Sequence, residues 1–203
     1  MLVFAVPLRT SDRLAVVGPH PEIIDAARML AVHPVSVLGP QDQPNPDLGE
    51  AVRNDGDGRL ALASASVDHV IVPRLDVPFA TAADELARVI RPGGHVFVVA
   101  SNRWSAARDP LAVRPAPAGR LLRAAGFTDV VVHAMRFVER PWHLIPVGSR
   151  AAYRWYLWSA FPAATRRDAA LARLARILPL PPTVGLVLHA LGFSARRAQG
   201  RRT

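Results

Sequence analysis

Short apolar runs recur along the chain, and each reads as a strand buried in a sheet. They cover Arg13 to Val17, Val35 to Leu38, Leu60 to Ala63, His69 to Val72, Val96 to Val99 and Val130 to Met135. Segments of helical spacing separate them. Pro21 to Leu30 sets Ile23, Ala26, Ala27 and Leu30 on one face, with proline in its first turn. Glu85 to Ile90 does the same with Leu86, Val89 and Ile90; Pro92 is read as its stop and Gly93-Gly94 as the turn into the next strand. Leu121 to Ala125 is a helix ending at Gly126. From Gln41 to Gly58 the chain is polar and broken by Pro44, Pro46, Gly49, Gly56 and Gly58, which predicts a loop with at most one helical turn near Leu48 to Arg53.

Strands alternating with helices predict an α/β fold: a mostly parallel sheet, helices on both faces and right-handed crossovers. Ligands on such sheets sit beyond the carboxyl ends of the strands. The functional loops are therefore expected at Gly18 to Pro21, Gly39 to Gln43, Ser64 to Ser66, Pro73 to Phe79 and Ala100 to Trp104.

The chain changes character after Phe137. Six of its 13 aromatic residues fall between Trp142 and Phe161. Ser149 is placed to cap a helix over 150–160, and a second helix over 165–178 is stopped by Pro179, Pro181 and Pro182. A short apolar helix over 184–191 and a last strand, Gly192 to Arg196, follow. The expected division is an α/β core over 1–137, with 138–203 supplying a helical lid or interface region and the last strand of the same domain.

Length and composition suit one globular domain: 203 residues, half of them apolar. The absence of cysteine excludes disulfides, thiolate metal sites and cysteine nucleophiles. The seven histidines are scattered and give no metal-ligand spacing. No apolar stretch approaches the roughly 20 residues that span a bilayer, and Met1 to Thr10 does not read as a signal peptide, so a cytoplasmic protein is expected. All 25 basic residues are arginine. Residues 1–100 carry 8 Arg against 12 acids, a balance of −4, whereas 101–203 carry 17 against 4, a balance of +13. The second half is suited to an anionic small molecule, a membrane surface or an acidic protein partner, and a solvated basic face gives the same pattern. Nucleic-acid binding does not follow from the arginine content, which also fits a compositional bias.

Two segments in order, 85–99 and 121–130, each a helix feeding a strand through glycine, resemble the last third of a class I S-adenosylmethionine-dependent methyltransferase domain. Val67-Asp68-His69-Val70-Ile71-Val72 is similar to that family's aromatic-Asp-x-Val pattern, in which the aspartate is mostly structural. The resemblance, over roughly residues 12–135, implies a Rossmann-like sheet with S-adenosylmethionine at its carboxyl edge. By position, Gly18 and Pro19 stand for the glycine-rich turn, Gly39 and Asp42 for the ribose-binding acid, Ser64 for the adenine contact, and Pro73 for the rim after the fourth strand. The departures are local. Only Gly18 remains of the glycine-rich turn, Pro19 and Pro21 remove amide donors, and Gly39 stands where the ribose carboxylate is usual, with Asp42 three residues later.

Methyl transfer needs orientation and, for oxygen or nitrogen acceptors, one base. His20 and His143 are the candidate bases, while His69 is read as a packed strand residue. Arg74, Asp76, Asn102, Arg103 and Trp104 follow the fourth and fifth strands, and Trp142, Tyr153 and Trp155 are candidates to roof an acceptor pocket or form a homodimer interface. Two functions follow: methyl transfer to a bulky, partly anionic small molecule, with bacterial secondary metabolism as the suspected setting, or a methyltransferase fold without methyl transfer, serving as a partner subunit or in a cofactor-free reaction such as cyclisation.

Overall fold

In the computed structural model, residues 5–43, 45–54, 58–104, 108–136, 143–146, 149, 151 and 190–199 are described. The elements run β1 (Arg13–Val17), α1 (Pro21–Met29), β2 (His33–Leu38), β3 (Ala51–Arg53), β4 (Val67–Val72), α2 (Phe79–Val89), β5 (Ile90–Ser101), α3 (Pro115–Ala124), β6 (Phe127–Arg136), β7 (His143–Pro146) and β8 (Ala190–Arg197). They form one sheet in the order β3-β2-β1-β4-β5-β8-β6-β7. β1 to β5 pair in parallel, and β8 slots between β5 and β6, antiparallel to both.

Alternation along the strands builds a core on each face. Ala15, Val70, Val96, Val98 and Phe193 face α2 and α3, meeting Phe79, Leu86 and Leu122. Leu14, Val16, Ile71 and Phe97 face the other way, toward Ile23 and Ile24 of α1. Proline opens α1 and α3, where a missing amide costs nothing, and Glu22 and Arg28 at the two ends of α1 complement its dipole. At Gly192 the sheet needs a residue without a side chain: a Cβ there would lie 2.7 Å from Cζ of Phe97 and 3.1 Å from Sδ of Met135. Phe97 is thereby fully buried against β8.

Four expectations are corrected. Leu60 to Ala63 is not a strand; the third strand is Ala51–Arg53, inside the segment predicted as loop. Its three residues pair with β2 at the sheet's edge, too short for an apolar period to register. Leu60 and Leu62 are nonetheless buried, because α2 clamps them. The Leu60 amide donates to Glu85 at 3.0 Å, and the Arg88 guanidinium, paired with Glu85, donates to the carbonyls of Leu60 and Leu62 at 2.9 and 2.8 Å. Second, α2 ends at Val89, ahead of Pro92, and β5 begins at Ile90. Arg91 to Gly94 bulge out of β5, since Val67 pairs with Ile90 but His69 with His95. Third, β7 was not predicted; it pairs with the end of β6. Fourth, Ala190 and Leu191 belong to β8 rather than a helix. The helices predicted over 150–160 and 165–178 lie almost wholly outside the described residues.

Candidate active site at the carboxyl edge

The parallel strands place several predicted residues along one rim. Gly18 follows β1 with φ of +94°, and its amide donates to the Val37 carbonyl at 2.8 Å. A Cβ on Gly18 would lie 3.3 Å from the His20 imidazole, so the ring of His20 covers this turn. Among the described residues, the His20 side chain makes one polar contact, at 3.4 Å to Glu22, and its backbone carbonyl accepts from Ile23 and Ile24. Pro19 is exposed in the same turn.

At the end of β2, Asp42 turns back. Its Oδ2 accepts the Gly39 amide at 2.7 Å, and its own amide donates to the Gly39 carbonyl at 3.2 Å. The turn carries the carboxylate three residues upstream in space, to the strand end itself. Asn54 follows β3 on the same rim, its amide bound to Leu38 at 2.7 Å. Sequence reasoning missed Asn54 because the strand before it went unrecognised. Between the ends of β1 and β4 lies a pocket of about 30 Å³, lined by Val17, Asn54, Leu60, Val72 and Asp76. That is room for about one water.

Further along the rim Pro73 is buried, while Arg74 and Asp76 are exposed. Arg103 is exposed and Trp104 is 54% exposed, both just beyond β5. Asn102 sits inside this rim, within the fold. It is fully buried, bridges Val113, and its Oδ1 accepts the Trp104 amide at 3.1 Å. Asp109 is a rim residue that the sequence reading missed. The Ser101 hydroxyl and the Leu111 amide, with Arg74 and Arg103 nearby, hold its carboxyl below the ordinary value. Arg103 donates to the Asp109 carbonyl at 3.0 Å. The Asp109-Pro110 dipeptide is the turn signal that marks the position in sequence.

Two candidates do not join the cluster around Gly18. Ser64 precedes β4 and therefore lies at the amino edge, with the next two amides bound to the carbonyls of Arg88 and Val89 at the end of α2. Its assignment to the adenine contact is withdrawn, because it rested on a third strand at 60–63. His143 begins β7 opposite Arg136, at the carboxyl edge but five strand positions from β1. At about 4.8 Å per strand that is roughly 24 Å from Gly18, so His20 and His143 do not share one site. Trp142, Tyr153 and Trp155 lie outside the described residues.

No family model matches the chain, and no curated protein matches it in sequence. Solved structures do match. One is a chain of the Haloferax volcanii complex between the Trm112 methyltransferase activator and its candidate methyltransferase, at 15% identity, with 99% of this chain and 88% of that chain covered and a TM-score of 0.60. Another is Haemonchus contortus phosphoethanolamine N-methyltransferase 2 in complex with S-adenosyl-L-methionine, at 13% identity, 97% and 52% coverage and a TM-score of 0.56. A third is the [4+2]-cyclase SpnF, at 18% identity, 98% and 79% coverage and a TM-score of 0.55. This chain has the S-adenosylmethionine-dependent methyltransferase fold. It spans about half the length of the Haemonchus enzyme. Within the methyltransferase fold, Asp68 is structural as the resemblance implies: it accepts the Arg13 amide at 2.8 Å and Arg91 Nη1 at 3.0 Å. Among the described residues no group of side chains is arranged to hold a metal ion, and no helix is long and apolar enough to cross a membrane.

Proposed function

We propose that the carboxyl edge binds S-adenosylmethionine and that the protein transfers its methyl group to a bulky small molecule bearing a negative charge. The observation that carries this reading is the Asp42 carboxylate, returned to Gly39 at the end of β2, where it is suited to a ribose diol. Gly18 fits the group too, since its lack of a side chain lets a ligand approach the main chain. Bound there, the cofactor supplies an electrophilic methyl group. The chain's own residues then have separable tasks: Asp42 holds the ribose, Arg74 and Arg103 hold the anionic part of the acceptor, and His20 is the proton acceptor beside Gly18.

A second reading, the fold without methyl transfer, draws support from the same rim. The His20 ring covers Gly18, two prolines flank it, and the nearby pocket measures only about 30 Å³. The match to a cyclase and to a chain from an activator complex makes a cofactor-free reaction or a protein partner the natural content of that reading. Titration calorimetry with S-adenosylmethionine and S-adenosylhomocysteine separates the two. A micromolar ligand near saturation also raises stability by about 3–4 kcal/mol. Binding that is lost in Asp42→Ala supports the cofactor role; no heat at millimolar ligand retires it. His20→Ala should lower the transfer rate without weakening cofactor binding.

A further inference from the structure

A second cavity lies at the opposite edge of the sheet, at the amino ends of β1, β4 and β5. It measures about 440 Å³, a size typical of small-molecule sites. The bulge of β5 forms one wall. Gly94 packs against the Asp68 carbonyl with no space for a side chain, so Arg91 to Gly94 stand out from the sheet beside the cavity. The 9–12 turn closes another side, and Arg196 comes from the far end of β8.

Its charges are unevenly satisfied. Asp12 is committed inward, accepting the Arg9 amide at 2.7 Å and His69 Nε2 at 2.9 Å. Asp68 is committed to Arg13 and Arg91. Both carboxylates are thus spoken for. Arg9 has no side-chain hydrogen bond or ion pair among the described residues, and Arg196 uses only Nε, on the Gly93 carbonyl at 3.4 Å. His95 stands beside His69, ring centroids 5.5 Å apart, on the same cavity wall. Burial, then His69, Arg196 and Arg9, hold the His95 imidazole below its ordinary pKa, with only Asp129 acting the other way. The field at this wall is positive, and an anion would relieve it.

We propose that this amino-edge cavity binds a small phosphate-bearing metabolite, gripped by Arg9 and Arg196 and flanked by His95. The site is independent of the carboxyl edge, so its occupancy does not depend on methyl transfer. Guanidinium groups with open donors around a concave, polar cavity match phosphate oxygens in geometry and charge.

The test is calorimetry on the full chain with pyrophosphate as probe, at about pH 7.5, where wild type should give a saturable binding heat. Arg9→Ala and Arg196→Ala should each weaken binding about 10-fold or more. Among the described residues the Arg9 side chain has no partner, and an unchanged urea midpoint shows that its variant folds as wild type does. No heat at millimolar pyrophosphate would overturn the proposal. So would equal affinity in both variants, or association only with anionic phosphatidylglycerol vesicles and not with free pyrophosphate.

Discussion

His133 gives the sharpest test of the packing between β5, β6 and β8. Its ring lies 5.9 Å from that of Phe97, its Nε2 shares a hydrogen bond of 2.9 Å with the Ser194 hydroxyl, and its Nδ1 is buried without a partner. Burial pushes the imidazole from 6.5 down to about 4. Between those two values the unfolded chain binds a proton that the folded chain refuses, so stability falls as pH drops through this window. At about 1.36 kcal/mol for each pKa step, the whole gap is worth roughly 3 kcal/mol, most of which is lost between pH 7 and pH 4.5. Urea unfolding at pH values across that range, on wild type and His133→Leu, isolates the effect. The leucine variant carries a constant offset from the lost Ser194 bond, while carboxylate protonation affects both proteins and cancels in the difference. Wild type should lose about 2 kcal/mol more than the variant over the range. Parallel curves, or an NMR titration of His133 with its midpoint near 6.5, would refute the argument.

Three other outcomes are expected. Gly192→Ala drives a methyl group into Phe97 and Met135 and should cost about 1–3 kcal/mol, read as a lower urea midpoint at unchanged slope; adding Phe97→Leu should recover part of it. Glu85→Ala releases the Leu60 amide and the Arg88 guanidinium together, which should cost about 1–3 kcal/mol and accelerate hydrogen exchange at Leu60 and Leu62; unchanged exchange there would mean that apolar packing alone holds the segment. Asp42→Ala should leave the melting temperature nearly unchanged, because the turn is at the surface, while lowering cofactor affinity about 10-fold or more.

Much of the architecture was legible in the chain. Buried parallel strands need continuous apolar runs, which is why β1, β2, β4, β5 and β6 stand out, and proline and glycine mark where helices begin and turns occur. The candidate rim was legible to the same extent, since a parallel sheet places every strand-to-helix loop on one edge. The local pattern is silent about what depends on distant partners. Residues 60–62 are apolar because α2 holds them through Glu85 and Arg88, not because they pair in a sheet, and mistaking them for a strand put Ser64 at the wrong edge. β3 and β7, at three and four residues, are too short to carry a period and exist only because neighbouring strands offer unpaired edges.

Tertiary structure alone decided the chemistry at both edges. That Asp42 folds back to Gly39, that His20 covers Gly18, and that Asn102 is buried all follow from backbone geometry beyond the strand ends. The amino-edge cavity joins Arg9, His95 and Arg196, nearly 190 residues apart along the chain. Sequence dictated which segments must be buried, because burial is a property of each residue's own side chain. Which polar groups meet depends on strand order and register, and those are set by the whole sheet at once.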